Sequence, residues 1–129
     1  MSATNLQIVR LFLETLAGGD MARTDQYLSD DVLYHNLPWE PMTGSETVRN
    51  FLQPFVDGTH SAIARMEILH QVGDGDVVMN ARSETWKRGD LEVVLPVAGL
   101  FVLKDNLIVK WSDYWDLATF QPLLDAIAG

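Results

Sequence analysis

From Ser61 onward the apolar residues of this chain recur with a period of two, and turn signals divide the pattern into four segments. Ala62 to Val72 is the first predicted strand, Gly73-Asp74-Gly75-Asp76 a hairpin turn, and Val77 to Lys87 the return strand. Those turn residues supply the positive φ that tight hairpins require. Arg88-Gly89-Asp90 leads into Leu91 to Leu103, apolar on both faces, where Pro96 predicts a bulge or a bend. Lys104-Asp105-Asn106 makes the last hairpin, and Leu107 to Asp116 the last strand. Successive hairpins commit this half of the chain to an antiparallel sheet, whose apolar face needs a cover.

The first half supplies it. Leu6, Val9, Leu13 and Leu16 recur at helical spacing, with Ser2 or Thr4 available as a cap and Gly18-Gly19 as a terminator. Asp20 can cap a short second helix, Met21 to Leu28. Ser29-Asp30-Asp31 then reads as a turn into a brief strand, Val32 to Asn36. Pro38 and Pro41 force an irregular loop around Trp39. A third helix starts near Thr43-Gly44-Ser45 with Val48, Phe51, Leu52 and Phe55 on its buried side, and Pro54 and Gly58 bend or fray its end. Leu117 to Ala128, with Phe120, Leu123, Leu124 and Ile127 at helical spacing, reads as a final helix or a loose tail. Helices first and a meander afterwards predict one α+β domain, residues 1–129. Helices closing a curved sheet make a cone with an apolar interior, a natural small-molecule site.

The last strand carries an anomaly. Val109, Trp111, Asp113 and Trp115 share one face at period two, so Asp113 stands in an apolar row. Such a carboxylate is costly unless it is paired or protonated. Its candidate partner lies upstream, where Asn80, Arg82, Glu84 and Trp86 share a face. Met79, Ala81 and Ser83 leave the opposite face equally able to turn inward. With Arg82 inward, two carboxylates and a guanidinium on neighbouring strands form a compact polar cluster in an apolar wall.

Composition removes several classes of function. Without cysteine there are no disulfides, thiolate zinc sites or thiol nucleophiles. The net charge of −9 with scattered Lys and Arg argues against nucleic-acid or anionic-membrane partners. No apolar run approaches the roughly 20 residues of a membrane span. Met1-Ser2-Ala3-Thr4-Asn5-Leu6 lacks the pattern of a secretory signal, so a soluble cytoplasmic protein is expected. His35, His60 and His70 have no metal-ligand spacing, so no metal is expected. Ser45 lacks a nucleophile elbow, and no glycine loop could cradle a phosphate.

The order of elements, with Tyr34-His35-Asn36-Leu37-Pro38, Arg82-Ser83-Glu84 and Trp111-Ser112-Asp113-Tyr114-Trp115-Asp116, resembles the limonene-1,2-epoxide hydrolase family of the NTF2-like, ketosteroid-isomerase-like superfamily. In layout the similarity covers nearly the whole chain, and its specificity rests on those three segments. The resemblance implies an NTF2-like cone, helices packed on a curved mixed or antiparallel sheet around an apolar pocket. It also implies a cofactor-independent hydrolase that adds water to a small apolar epoxide. Tyr34 and Asn36 then hold the water, Asp113 is the base, Arg82 the bridging cation and Glu84 the acid. At Glu84 the chain departs from the family pattern, which has the shorter Asp. Trp86, Leu95, Val97, Trp115 and Phe120 are the candidate substrate-binding residues.

The residues alone leave other readings open. An Arg flanked by two acids also occurs as a structural ion-pair network. Asp113 and Tyr34 equally suit a ketosteroid-isomerase-like or SnoaL-like polyketide-cyclase proton transfer, with Tyr34 holding an enolate. A non-catalytic ligand-binding or dimerisation module is the third reading, since fold alone does not set function. The strand Leu91 to Leu103, apolar on both faces, leads us to expect a homodimer.

Overall fold

The computed structural model describes residues 2–129. Helix α1 (Ser2–Ala17) and the short α2 (Met21–Thr24) precede strand β1 (Leu28–Asn36). Next come β2 (Met42–Thr43), α3 (Ser45–Val56) and the long strands β3 (Ala62–Asp74), β4 (Val77–Arg88) and β5 (Leu91–Lys104). Strand β6 (Leu107–Tyr114) and α4 (Leu117–Ala128) complete the chain.

The strands form one six-stranded sheet in the order β2-β1-β6-β5-β4-β3. It is mixed rather than purely antiparallel, because β6 inserts between β5 and β1 and runs parallel to β1. The four helices pack on this open sheet and make the α+β cone that the period change predicted. Val9, Phe12, Leu13 and Leu16 of α1 are buried, and Phe12 meets Trp111 of β6 edge-on at 4.9 Å. Asn5 Nδ2 donates to Gly75 O at 3.0 Å and ties α1 to the β3–β4 hairpin. Along β4, Val78, Asn80, Arg82, Glu84 and Trp86 are buried and the alternate residues face outward. The inward face of β4, open in the sequence, is therefore the one that carries Arg82.

Several local expectations need correction. Helix α1 already includes Ser2, so both Ser2 and Thr4 lie within the helix rather than at its cap. Asp20 does cap α2, accepting from Arg23 N at 3.1 Å, but that helix ends at Thr24 and passes into a 3-10 turn, Asp25–Tyr27. Ser29, Asp30 and Asp31 lie in β1 and not in a turn, because Leu28 already pairs with Ile108. Pro96 makes no bulge: it pairs in register with Ser83. It lies beyond the part of β5 that β6 covers, where a missing N–H is tolerated on the free side. The irregularity falls in β6 instead. Register shifts past Val109, so Ile108, fully buried, takes the inward place assigned to Val109 and restores Trp111 and Asp113 to the inner face. The last helix is a helix and not a loose tail, its first turn capped by Asp116, which accepts from Thr119 N at 3.1 Å.

Candidate active site

Gln71, Asn80, Gly99, Asp113 and Asn36 are successive register partners, and so form one row across five strands, β3 to β1. The row is polar except at its centre, where Gly99 has no side chain. Strand β5 thus separates β4 from β6, which are not neighbours as the sequence suggested. Arg82 reaches across the gap at Gly99, and its Nη2 donates to Asp113 Oδ2 at 2.6 Å. Nε donates to Glu84 Oε2 at 2.8 Å, and Nη1 to Asn80 Oδ1 at 3.0 Å. Asn80 Nδ2 donates in turn to Gln71 Oε1 at 3.1 Å, and Gln71 Nε2 to Leu6 O of α1 at 3.2 Å. The guanidinium is thereby held through β3 to the first helix.

The two carboxylates have matching surroundings. Each accepts one N–H from Arg82 and one from an indole two residues away on its own strand face. Trp111 Nε1 donates to Asp113 Oδ1 at 2.9 Å, and Trp86 Nε1 donates to Glu84 Oε1 at 3.0 Å. Arg82, Glu84 and Asp113 are all buried. Taking such charges out of water is tolerable only when donors and acceptors match this closely. Burial is the strongest influence on Asp113 and raises its pKa; the guanidinium beside it works downward and the charge of Glu84 upward. Arg82 stays protonated, because the two carboxylates outweigh its burial and raise its pKa.

A pocket opens on this cluster. Glu84 and Asp113 line it together with Tyr34, Asn36, Trp86, Leu95, Val97, Trp115 and Phe120. All the candidate substrate-binding residues therefore stand on one cavity wall, whereas Arg82 lies behind the two acids. The cavity volume is about 50 Å³. Trp39, Phe51 and Phe55 add aromatic rings, Trp39 meeting Trp115 edge-on at 5.0 Å.

Tyr34 and Asn36 project from β1 beside the base candidate. Tyr34 stacks on Trp111 with ring centroids 4.1 Å apart. Burial, and after it the charges of Asp113 and Glu84, raise the phenol pKa well above its ordinary value, so Tyr34 keeps its proton. Trp115 Nε1 donates to Asn36 Oδ1 at 2.7 Å. An indole can only donate, so the amide oxygen is fixed and Asn36 turns its N–H₂ end toward other partners.

Sequence reasoning missed Gly99 and gave Asn80 no role. Among the described residues, no three His, Asp or Glu side chains gather as a metal site would require. No described helix is long and apolar enough to cross a membrane.

An open mixed sheet under helices, with a polar cluster at the floor of an aromatic pocket, defines an NTF2-like α+β protein. A model of the limonene-1,2-epoxide hydrolase catalytic domain matches residues 3–126, and the chain belongs to that family. Over 110 residues it is 28% identical to the epoxide hydrolase EphG of Mycobacterium tuberculosis, covering 84% of this chain and 71% of that protein. The solved structure of an M. tuberculosis LEH-like epoxide hydrolase superposes with a TM-score of 0.83 at 26% identity, covering 98% of this chain and 94% of that one. A protein of ketosteroid isomerase-like fold from Catenulispora acidiphila, 17% identical, superposes with a TM-score of 0.76 over 87% of each chain. That last likeness concerns the fold alone.

Proposed function

We propose that this protein is a cofactor-independent epoxide hydrolase that opens a small apolar epoxide by direct attack of water, giving a vicinal diol. The observation that carries the reading is the Arg82-bridged pair, Glu84 and Asp113, facing one aromatic-lined pocket. Epoxide opening needs a base on the water and an acid on the ring oxygen in the same transition state. Asp113 takes the proton of the water while Glu84 gives its own to the oxygen leaving carbon. One C–O bond forms, one breaks, and the pair ends with its proton exchanged.

Arg82 stays charged throughout and balances whichever acid is ionised. The water donates one proton toward Asp113 and the other to the phenol oxygen of Tyr34. It accepts from the free N–H₂ end of Asn36. One lone pair is then left for the carbon. The raised pKa of Tyr34 suits this part, because a neutral phenol can accept as well as donate.

Purified protein is assayed on a panel of terpene, cyclic and styrene-type epoxides, and the best substrate is followed through a single turnover in ¹⁸O-labelled water. Label in the diol and none in the protein is expected. Label on Asp113 means a covalent ester intermediate and overturns one-step attack. No turnover of any epoxide overturns the hydrolase reading. Exchange of a carbon-bound proton in a ketone ligand would then favour the proton-transfer alternative, in which Tyr34 donates to an enolate.

A further inference from the structure

The family pattern places an Asp two residues after the bridging Arg, and this chain has Glu84, one methylene longer. A longer acid on the same backbone point moves its carboxyl by about 1.5 Å unless something redirects it, and misplacement of about 1 Å can cost on the order of 100-fold in rate. Glu84 does not hang free. Its Oε2 is held by Arg82 and its Oε1 by Trp86 Nε1, residues two before and two after it on the inner face of β4. The carboxylate is therefore gripped lengthwise along the strand, by two side chains whose backbone positions lie about 13 Å apart and which converge on it from either side. The indole is itself fixed: Trp86 is buried and meets Phe120 of α4 edge-on at 5.6 Å.

We infer that Trp86 is a positioning residue for Glu84, its indole N–H drawing the longer acid along β4 so that its acidic oxygen keeps the place a shorter side chain would give it. Trp86 thus has a second part beyond forming pocket wall. An Asp at position 84 would fall short of at least one of the two donors, so the Glu and the Trp belong together. The inference about the acid rests on the hydrolase reading, whereas the hydrogen bond does not, and the two are tested separately.

The first measurement needs no substrate and leaves Trp86 unchanged. In ¹⁵N-labelled protein the Trp86 indole proton is expected downfield and protected from exchange, moving upfield and losing protection in Glu84→Asp. An indole signal indifferent to that substitution overturns the inference. The second is a double-mutant cycle in kcat and KM on the best epoxide of the panel, with Trp86→Phe, Glu84→Asp and the pair. Trp86→Phe keeps an aromatic wall and removes the donor. It should lower kcat by about 10-fold or more, the cost of losing a hydrogen bond to the carboxylate that forms as Glu84 gives up its proton, with little change in KM. In the Glu84→Asp background it should do much less. Additive effects, or a change in KM alone, reduce Trp86 to wall and overturn the positioning role in an active enzyme. A parent inactive on every epoxide overturns the acid's role together with the hydrolase reading, which the indole signal then identifies as the part that failed.

Discussion

Arg82 reaches Asp113 across an intervening strand because residue 99 of that strand has no side chain. A Cβ there would collide with Arg82 Nη1 and come within 2.9 Å of Phe101 Cε1 and 3.0 Å of Asn80 Oδ1. Arg82 is buried and tied by three hydrogen bonds, so it cannot yield cheaply. We expect Gly99→Ala to displace the guanidinium, lowering kcat/KM on the order of 100-fold and stability by about 1–3 kcal/mol. Kinetics and urea unfolding measure both, and a variant with parental kcat/KM would show that the bridge is dispensable. Asp113→Asn tests the base. It should abolish turnover, and its effect on stability should depend on pH. A carboxyl whose pKa is raised on folding holds its proton more tightly in the native state. The parent therefore loses stability as pH climbs from the unfolded value, about 3.9, through the folded one. Asn does not titrate, although its amide leaves Trp111 Nε1 facing a second donor, at a cost of about 1–3 kcal/mol. In urea unfolding the variant should thus gain on the parent as pH rises above about 4; a constant gap would mean that Asp113 is not held above its unfolded pKa. Arg82, Glu84 and Asp113 were legible in the sequence because charge interrupts an alternating apolar pattern. Gly99 was not. Its importance appears only once β5 is known to lie between the two charged strands, and a strand glycine by itself signals no more than a bulge or a close approach.

Elements were most legible where the pattern is local. The hairpins from β3 to β6 needed only turn residues and alternation, and Asp105 and Asn106 adopt positive φ, 51° and 67°, as a tight turn requires. Strand β1 was misread at its start because Ser29, Asp30 and Asp31 have turn chemistry, and pairing with β6 overrides it. That pairing joins segments far apart in sequence, so no window along the chain contains it. Helix α4 matters beyond its own stability, because Phe120 braces both Trp86 and Trp115, at 5.6 and 5.5 Å. Asp116 holds the start of that helix through Thr119 N and Thr119 Oγ1. Asp116→Ala should cost about 1 kcal/mol in thermal unfolding and loosen the pocket wall, raising KM more than it lowers kcat. An unchanged KM would detach α4 from the binding of substrate.

At the scale of the molecule, the outer face of the sheet lacks a cover. Val72 is 66% exposed, Met79 beside it 47% and Val94 57%. The expectation drawn from β5, apolar on both faces, thus extends to exposed apolar residues on β3 and β4 as well, and we propose that a second copy of the chain covers this face. Sedimentation should give a dimer at micromolar concentration, and Met79→Lys a monomer; a monomeric parent would leave the face to some other purpose. The insertion of β6 between β5 and β1 bears on a different matter, the order in which the molecule comes together. The meander from β3 to β6 can form by local hairpin closure, each strand laid beside the one before it. Strand β1, made early, has to wait for the last strand with its edge unpaired, and loop closure over so long a separation is the slow kind. Tyr34 and Asn36 sit on the waiting strand, and Arg82, Glu84 and Asp113 on the other side of that seam. We expect pulse-labelled hydrogen exchange during refolding to protect the meander first, and the water-holding side of the pocket to meet its acids only in the final zipping of β1 to β6.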